Sequence, residues 1–316
     1  MSGDDGYLRT ASELGIMGVV RTLGIIGNKN SPHVFNGVSF PSIVPVEGLK
    51  ALENFETRPD DVVIVSYPKS GLNWTYEVVT LILNNADISK PKLPLFTHVP
   101  YLEVMHIEHG KTYAEILRDL PSPRLIATHL RYSMLPPGVH DNGTKTIYVA
   151  RNPKDVVVSY YHFHRMSRVH PDPGGWDKFL SDFMSGNVVW GSWYQHVLDV
   201  WANRQKRNIL IVRYEDMKKD LPAAIRQMAA LLGRQLTEPG VQLIASHCSF
   251  DSMKSNPMTN GSKVPMVFNN DESQFMRKGV VGDWINHFTV AQDRTFDSHY
   301  LRTIAVRGME FEFELI

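Results

Sequence analysis

At 316 residues the chain holds enough material for one large domain or two small ones, with a core that needs no covalent staples. Lys and Arg total 33 and Asp and Glu total 33, so the formal net charge is zero, which excludes a general nucleic-acid coat and a polybasic membrane anchor and makes any anion site local. One cysteine, Cys248, excludes an internal disulfide framework and a cysteine-rich zinc site, and it suits a reducing compartment, so a cytoplasmic protein is expected.

The first distinctive stretch, Leu14 to Gly27, is apolar and glycine-rich. It follows Asp4 and Asp5 and is interrupted by Arg21, the reverse of a secretory signal, and reads as a segment lying on the main domain. No window reaches the roughly 20 apolar residues of a spanning helix, so no membrane association is expected. The division is therefore residues 1–40 as an N-terminal segment and 41–316 as the main domain.

Four apolar runs follow: Val62 to Ser66, Leu125 to Thr128, Thr146 to Val149 and Ile209 to Val212. None alternates with polar residues, which predicts strands covered on both faces, as in a parallel sheet. The first passes through Tyr67-Pro-Lys-Ser-Gly71 into a helix over Trp74 to Leu83. The third passes through Arg151-Asn-Pro-Lys-Asp155, with Asn152 as N-cap and Pro153 as first helical residue, into a helix reaching Arg165. The fourth runs through Asp220 into Ala223 to Leu232, ending at Gly233. Strand then helix, repeated, is an α/β fold: a single domain with a central parallel sheet flanked by helices. Further helices are predicted over Trp176 to Met184 and Trp190 to Trp201, and Thr259 to Ser273 reads as a long loop of the kind that forms binding lids.

The turn Tyr67 to Gly71 puts a lysine, a hydroxyl and a glycine at a helix N-terminus, where free N–H groups and the positive dipole end attract phosphate. It is not the nucleoside-triphosphate loop, because its glycine follows the lysine and the first glycine is absent. A similar turn follows the third strand, with Arg151 at the sheet's carboxyl edge and Ser159 two helical turns on. A third basic segment, Arg277-Lys278-Gly279, precedes Gly282-Asp283-Trp284. Two cationic turns at one carboxyl edge point to a ligand with two separated phosphates.

Together these segments resemble the cytosolic sulfotransferase family, which moves a sulfuryl group from 3′-phosphoadenosine 5′-phosphosulfate (PAPS) to a hydroxyl or amine. The resemblance runs through Gly191 to Gln195, Arg213 to Met217 and Asn256 to Met258 and spans roughly residues 40 to 310. It implies a P-loop-like phosphosulfate loop of Lys69, Ser70, Gly71, Leu72, Asn73 and Trp74. It implies a 3′-phosphate site of Arg151, Ser159, Arg277, Lys278 and Gly279, and an adenine site of Trp74, Tyr214 and Phe250, with Cys248 where the family often has threonine. The family's base corresponds to His129, a residue type that titrates near neutrality. Lys69 would offset charge on the departing phosphate oxygen, with Ser159 holding that lysine or the 3′-phosphate. The product is adenosine 3′,5′-bisphosphate (PAP), and no metal is implied. Tyr101, Val104, Phe163 and His164 fall at positions lining an apolar slot for a small lipophilic acceptor such as a phenol, steroid or other alcohol.

The chain departs from that pattern in three places. Leu72 and Asn73 stand where the family usually has two threonines, and Ala127 where a lysine is common. Each lost donor is worth about 2.7 to 4 kcal/mol of transition-state stabilisation, so a nucleotide-binding pseudoenzyme is the alternative reading. The segment Ile285 to Arg294 keeps the Thr-Val of a family dimer motif but loses its charged ends, so a homodimer there would rest on a degenerate motif. A P-loop kinase conflicts with the loop's residue order, and a Golgi carbohydrate sulfotransferase with the lack of an anchor.

Overall fold

The computed structural model describes residues 31–89, 95, 99–106, 111–141, 143–263 and 267–315. Residues 1–30, most of the expected N-terminal segment, lie outside them. Residues 33–40 form a hairpin around Asn36-Gly37, both with positive φ, as a two-residue hairpin turn requires.

Four strands make the central sheet: β1 (Val62–Ser66), β2 (Leu125–Thr128), β3 (Lys145–Ala150) and β4 (Ile209–Arg213), in the order β2-β1-β3-β4 with every pairing parallel. Alternate residues face opposite layers. Val63, Val65, Tyr148 and Ala150 enter one core, and Val62, Ile64, Ile147 and Val149 the other. Both faces are covered, so every residue of β1 is buried and the runs carry no polar alternation.

Helices α1 (Leu72–Leu83), α7 (Leu221–Leu232) and α8 (Glu238–His247) close the second core. The first is closed by α3 (Pro153–Met166), α4 (Trp176–Ser185), α5 (Trp193–Trp201) and α10 (Val290–Thr303). Shorter helices are α2 (Tyr113–Asp119), α6 (Tyr214–Lys219) and α9 (Phe250–Ser255). Asn152 caps α3 by accepting from the Asp155 N–H at 2.8 Å, and Gly233 ends α7 with φ 68°.

Two expectations change. The helix expected from Trp190 starts at Trp193, because Trp190 and Gly191 both hold positive φ and cannot join a right-handed helix. Tertiary contacts impose that kink: the Trp190 N–H donates to Ser39 O at 2.6 Å and the Tyr67 hydroxyl to Gly191 O at 2.9 Å. The long loop over 259–273 has no helix or strand among its described residues, yet it is tied to the end of α3. Arg168 N–H donates to Val267 O at 2.9 Å and Asn269 N–H to Met166 O at 2.7 Å, so the loop is held as a wall.

The amino ends of β1 and β2 are joined by a buried ion pair. Arg124 Nη2 lies 2.5 Å from Asp61 Oδ2, both side chains are almost fully enclosed, and the guanidinium also donates to Leu117 O and Glu56 O. Removing one partner strands a buried charge. Asp61→Ala is expected to lower unfolding stability by about 3 to 5 kcal/mol, read from urea denaturation; a loss under 1 kcal/mol would show that Arg124 finds solvent when unpaired.

Candidate active site

All four carboxyl ends of the sheet point into one cavity of about 680 Å³. β1 ends in the turn bearing Lys69, β2 in His129, β3 in Arg151 and β4 in Tyr214. A parallel sheet brings these residues together from distant points in the chain, because every strand finishes at the same edge.

The β1 turn is shaped for an anion. Gly71 caps α1 with φ 113°, and a Cβ there would lie 3.0 Å from the Tyr214 ring, so glycine lets helix and ring approach. Lys69 also holds positive φ, and its Nζ sits over the rings of Phe275 at 3.9 Å and Phe163 at 4.4 Å. Burial, helped by the neighbouring Arg151 and Arg277, pushes the ammonium down to about 7.

Arg151 lies over the Tyr214 ring at 4.2 Å, donates to Val280 O at 3.0 Å, and keeps its buried Nε without a partner. Asp155, one turn into α3, orders the basic segment near the C-terminus. Its carboxylate accepts from the backbone N–H of Gly282 at 2.9 Å and of Trp284 at 3.1 Å, and from Asn152 Nδ2 at 3.0 Å. Asn152 N–H in turn donates to Glu215 Oε1 at 2.8 Å, and burial raises that carboxyl to about 7. Arg277 and Lys278 both pair with Asp283, which these hydrogen bonds hold near 2 in spite of its burial. At Gly279 a Cβ would strike the Phe250 ring at 2.1 Å, so the loop backbone lies against that ring only because the residue is glycine. Trp74 meets Tyr214 edge-on with centroids 5.3 Å apart and donates to Cys248 O at 2.7 Å, closing an aromatic recess.

At the other end of the cavity His129 Nδ1–H donates to Ser66 O at 2.8 Å, which fixes the tautomer and leaves the Nε2 lone pair available. Its backbone is held twice: the His129 N–H donates to Glu103 Oε1 at 2.8 Å, and His196 Nε2–H donates to His129 O at 3.1 Å. The Thr128 hydroxyl donates to the other Glu103 oxygen at 2.8 Å, and burial raises that carboxyl to about 7. Burial pushes the His129 imidazole down to about 3, with His196 and Lys69 adding to the shift, so the neutral ring is favoured where titration near neutrality was expected. Tyr101 and Trp190 flank its ring at centroid distances of 5.1 and 5.3 Å.

Of the residues expected here, all but two line this cavity. Ser70 is buried and does not reach the cavity wall. His164 is corrected outright. On α3, Ser159 and Phe163 share the cavity face four residues apart, while Tyr160 and His164 share the packed one. His164 rests 4.5 Å from the Tyr160 ring with its Nδ1–H donating to Pro171 O at 2.9 Å, away from any acceptor slot. His170 takes that part of the wall instead, bonded to Ser167 Oγ at 3.1 Å.

Other wall residues were not anticipated. Lys218 lies four residues after Tyr214 on α6, and Phe275 and Met276 immediately precede Arg277, so spacing and adjacency could have flagged all three. Nothing local marks the wall residues His170 and Trp190, or the buried Glu103 that holds the His129 backbone from behind. No helix of the described residues is long and apolar enough to cross a membrane, and no group of three or more potential metal ligands lies among them.

The Sulfotransferase domain family matches residues 59–308. Sulfotransferase 1A1 of Bos taurus is 46% identical over 271 residues, 85% of this chain and 92% of that protein. Sulfotransferase 1B1 of Canis lupus familiaris is 42% identical over 266 residues, 84% and 90% of the two chains. Among solved structures, mouse sulfotransferase SULT7A1 complexed with PAP superposes with a TM-score of 0.73 at 34% identity, covering 86% of this chain and 95% of that one. Retinol dehydratase in complex with androsterone and inactive cofactor PAP shares the fold, with a TM-score of 0.79 at 24% identity over 94% and 95% of the two chains. With a matching family domain over most of its length and relatives more than 40% identical over about 85% of it, the chain belongs to the sulfotransferase family.

Proposed function

We propose that this enzyme transfers a sulfuryl group from PAPS to the hydroxyl or amine of a small lipophilic acceptor, with His129 as general base. One observation carries the reading: three cations from distant segments, Lys69, Arg151 and Arg277, line one cavity whose opposite end presents the free Nε2 of His129. A chain with no net charge that nevertheless sets Arg151 and Arg277 close enough to disfavour the charged form of Lys69 fits a site built for an anion. The unpartnered Arg151 Nε and the helix N-terminus at Gly71 suit a phosphorylated ligand.

In this reading PAPS supplies an activated sulfuryl group on a phosphate leaving group. Arg151, Ser159, Arg277, Lys278 and the Gly279 backbone hold the 3′-phosphate, and Trp74, Tyr214 and Phe250, beside Cys248, enclose the adenine. Ser70, Gly71, Leu72 and Asn73 contribute the N-terminal turn of α1, with Lys69 Nζ offsetting negative charge that grows on the departing oxygen. Tyr101, Val104 and Phe163, joined by His170, form the acceptor wall. A neutral His129 is ready to accept the acceptor's proton, and the donor's negative charge would raise its affinity for that proton. The relatives' names are those of active transferases, which weighs against a pseudoenzyme. The lone buried cysteine supports a reducing, cytoplasmic setting.

Calorimetric binding of PAP, followed by transfer from labelled PAPS to a panel of phenols and steroids, tests the reading directly. Binding with turnover is expected; no PAP binding would overturn it. His129→Ala should abolish transfer and leave PAP affinity within about two-fold, whereas equal loss of binding and turnover would remove the base from its role.

The Lys69 ammonium sets a pH dependence. Its cationic form prevails below about 7 and is lost above it in the free enzyme, while a bound anion raises its proton affinity. PAP affinity should therefore fall as pH rises from 7 to 9, by up to about ten-fold per unit. Lys69→Arg, charged throughout, should flatten that dependence, and parallel slopes in the two proteins would contradict the assignment.

A further inference from the structure

We infer that the Asn73 side-chain amide, oriented by the Tyr101 hydroxyl, donates to the sulfuryl group during its passage between the phosphate turn and His129. The inference rests on the donor reading above and assigns a donor to the part of the cavity where the group changes hands.

Asn73 is the second residue of α1 and lines the cavity just past the turn bearing Lys69. Tyr101 approaches from the other side. Its ring lies 5.1 Å from the His129 ring, and its hydroxyl donates to Asn73 Oδ1 at 2.8 Å, so this one side chain spans from the base to the first turn of α1. An amide whose oxygen is occupied presents its NH2 at the opposite end, and no hydrogen bond of Asn73 Nδ2 is found among the described residues. The neighbours offer no alternative. Leu72 is packed into the core, and Ala127, paired with Tyr101 across a parallel bridge, has no polar side-chain atom.

Charge explains why an amide suits the position. Arg151 and Arg277 already disfavour the charged form of Lys69 in the turn, and Lys69 in turn disfavours protonation of His129. A further cation between them would deepen both effects, making the lysine less charged and the histidine a poorer base. A neutral NH2 supplies hydrogen bonds to acceptor-only sulfuryl oxygens without that penalty. The transfer balances as follows: the acceptor oxygen forms a new bond to sulfur, the bond from sulfur to the 5′-phosphate oxygen breaks with its electron pair left on that oxygen, and the acceptor's proton passes to His129 Nε2. Asn73 exchanges no proton and Tyr101 does not touch the group, so Asn73 is a catalytic residue and Tyr101 a positioning one.

PAPS and PAP differ by the sulfuryl group alone, so their affinity ratio isolates this contact. In Asn73→Ala the preference for PAPS over PAP, measured by equilibrium binding without acceptor, should fall about five-fold or more while PAP affinity is retained. Its kcat should fall about a hundred-fold. Tyr101→Phe, which keeps the ring against His129, should lower kcat about five-fold in the otherwise unmodified enzyme and cause no further loss in the Asn73→Ala background. An unchanged PAPS preference in Asn73→Ala, or an equal Tyr101→Phe loss in both backgrounds, would overturn the inference and leave the donor reading intact. Failure of the unmodified enzyme to bind PAP would overturn both.

Discussion

The site depends on the carboxylate of Asp155. It sits at the N-terminus of α3 with almost no exposure and accepts from the backbone of Gly282 and Trp284, well over a hundred residues further along the chain. Buried N–H groups require acceptors, and without this one the segment after Lys278 would have no fixed place beside the sheet. Because Arg151 leaves β3 four residues earlier, and itself donates to Val280 O, the same anchor keeps the Arg277–Gly279 segment beside it. The donor half of the site is a junction between one sheet edge and one loop, held chiefly through hydrogen bonds to Asp155 and Arg151.

Electrostatics shapes the rest. Gathering Lys69, Arg151 and Arg277 opposes the charged state of Lys69, and the protein sets Asp155 beside Arg151 at 3.6 Å and Asp283 beside Arg277 at 2.6 Å. Among the described residues no carboxylate pairs with Lys69; two aromatic faces stabilise it instead. A multiply charged anion entering there relieves repulsion as well as making bonds, which favours a bisphosphate over a monophosphate. His129 lies in a contrasting environment of aromatic rings and a backbone acceptor, where a neutral imidazole is the stable form. The cavity thus gathers cations at one end and keeps a neutral imidazole at the other, the combination the proposed transfer uses.

The acceptor side is built less tightly. Tyr101 and Val104 come from one loop and Phe163 from a helix, while His170 and Phe268 come from segments joined through the contact between the end of α3 and the long loop. Apolar walls with few polar groups select for shape and hydrophobicity, so acceptor choice is a property of packing rather than of a motif.

Much of this was readable one residue at a time. The strands announced themselves as apolar runs without alternation, because burial on both faces leaves no solvent side; Asn152, Pro153 and Gly233 marked helix ends, because capping is a local matter of φ and free N–H groups. Lys69, Arg151 and Arg277 were legible because each sits in a turn with a glycine or proline of evident conformational purpose. Packing decided the remainder. The sequence around His164 looks like that of any cavity residue, and only the helical phase relative to the sheet turns it into the core and leaves Phe163 facing the cavity. Trp190 reads as the start of a helix until Ser39 and Tyr67 engage the backbone around it. The depressed proton affinities of Lys69 and His129, and the Asn73–Tyr101 pair, depend on which side chains and how little water surround each group. Those are properties of three-dimensional neighbours, which local sequence does not encode.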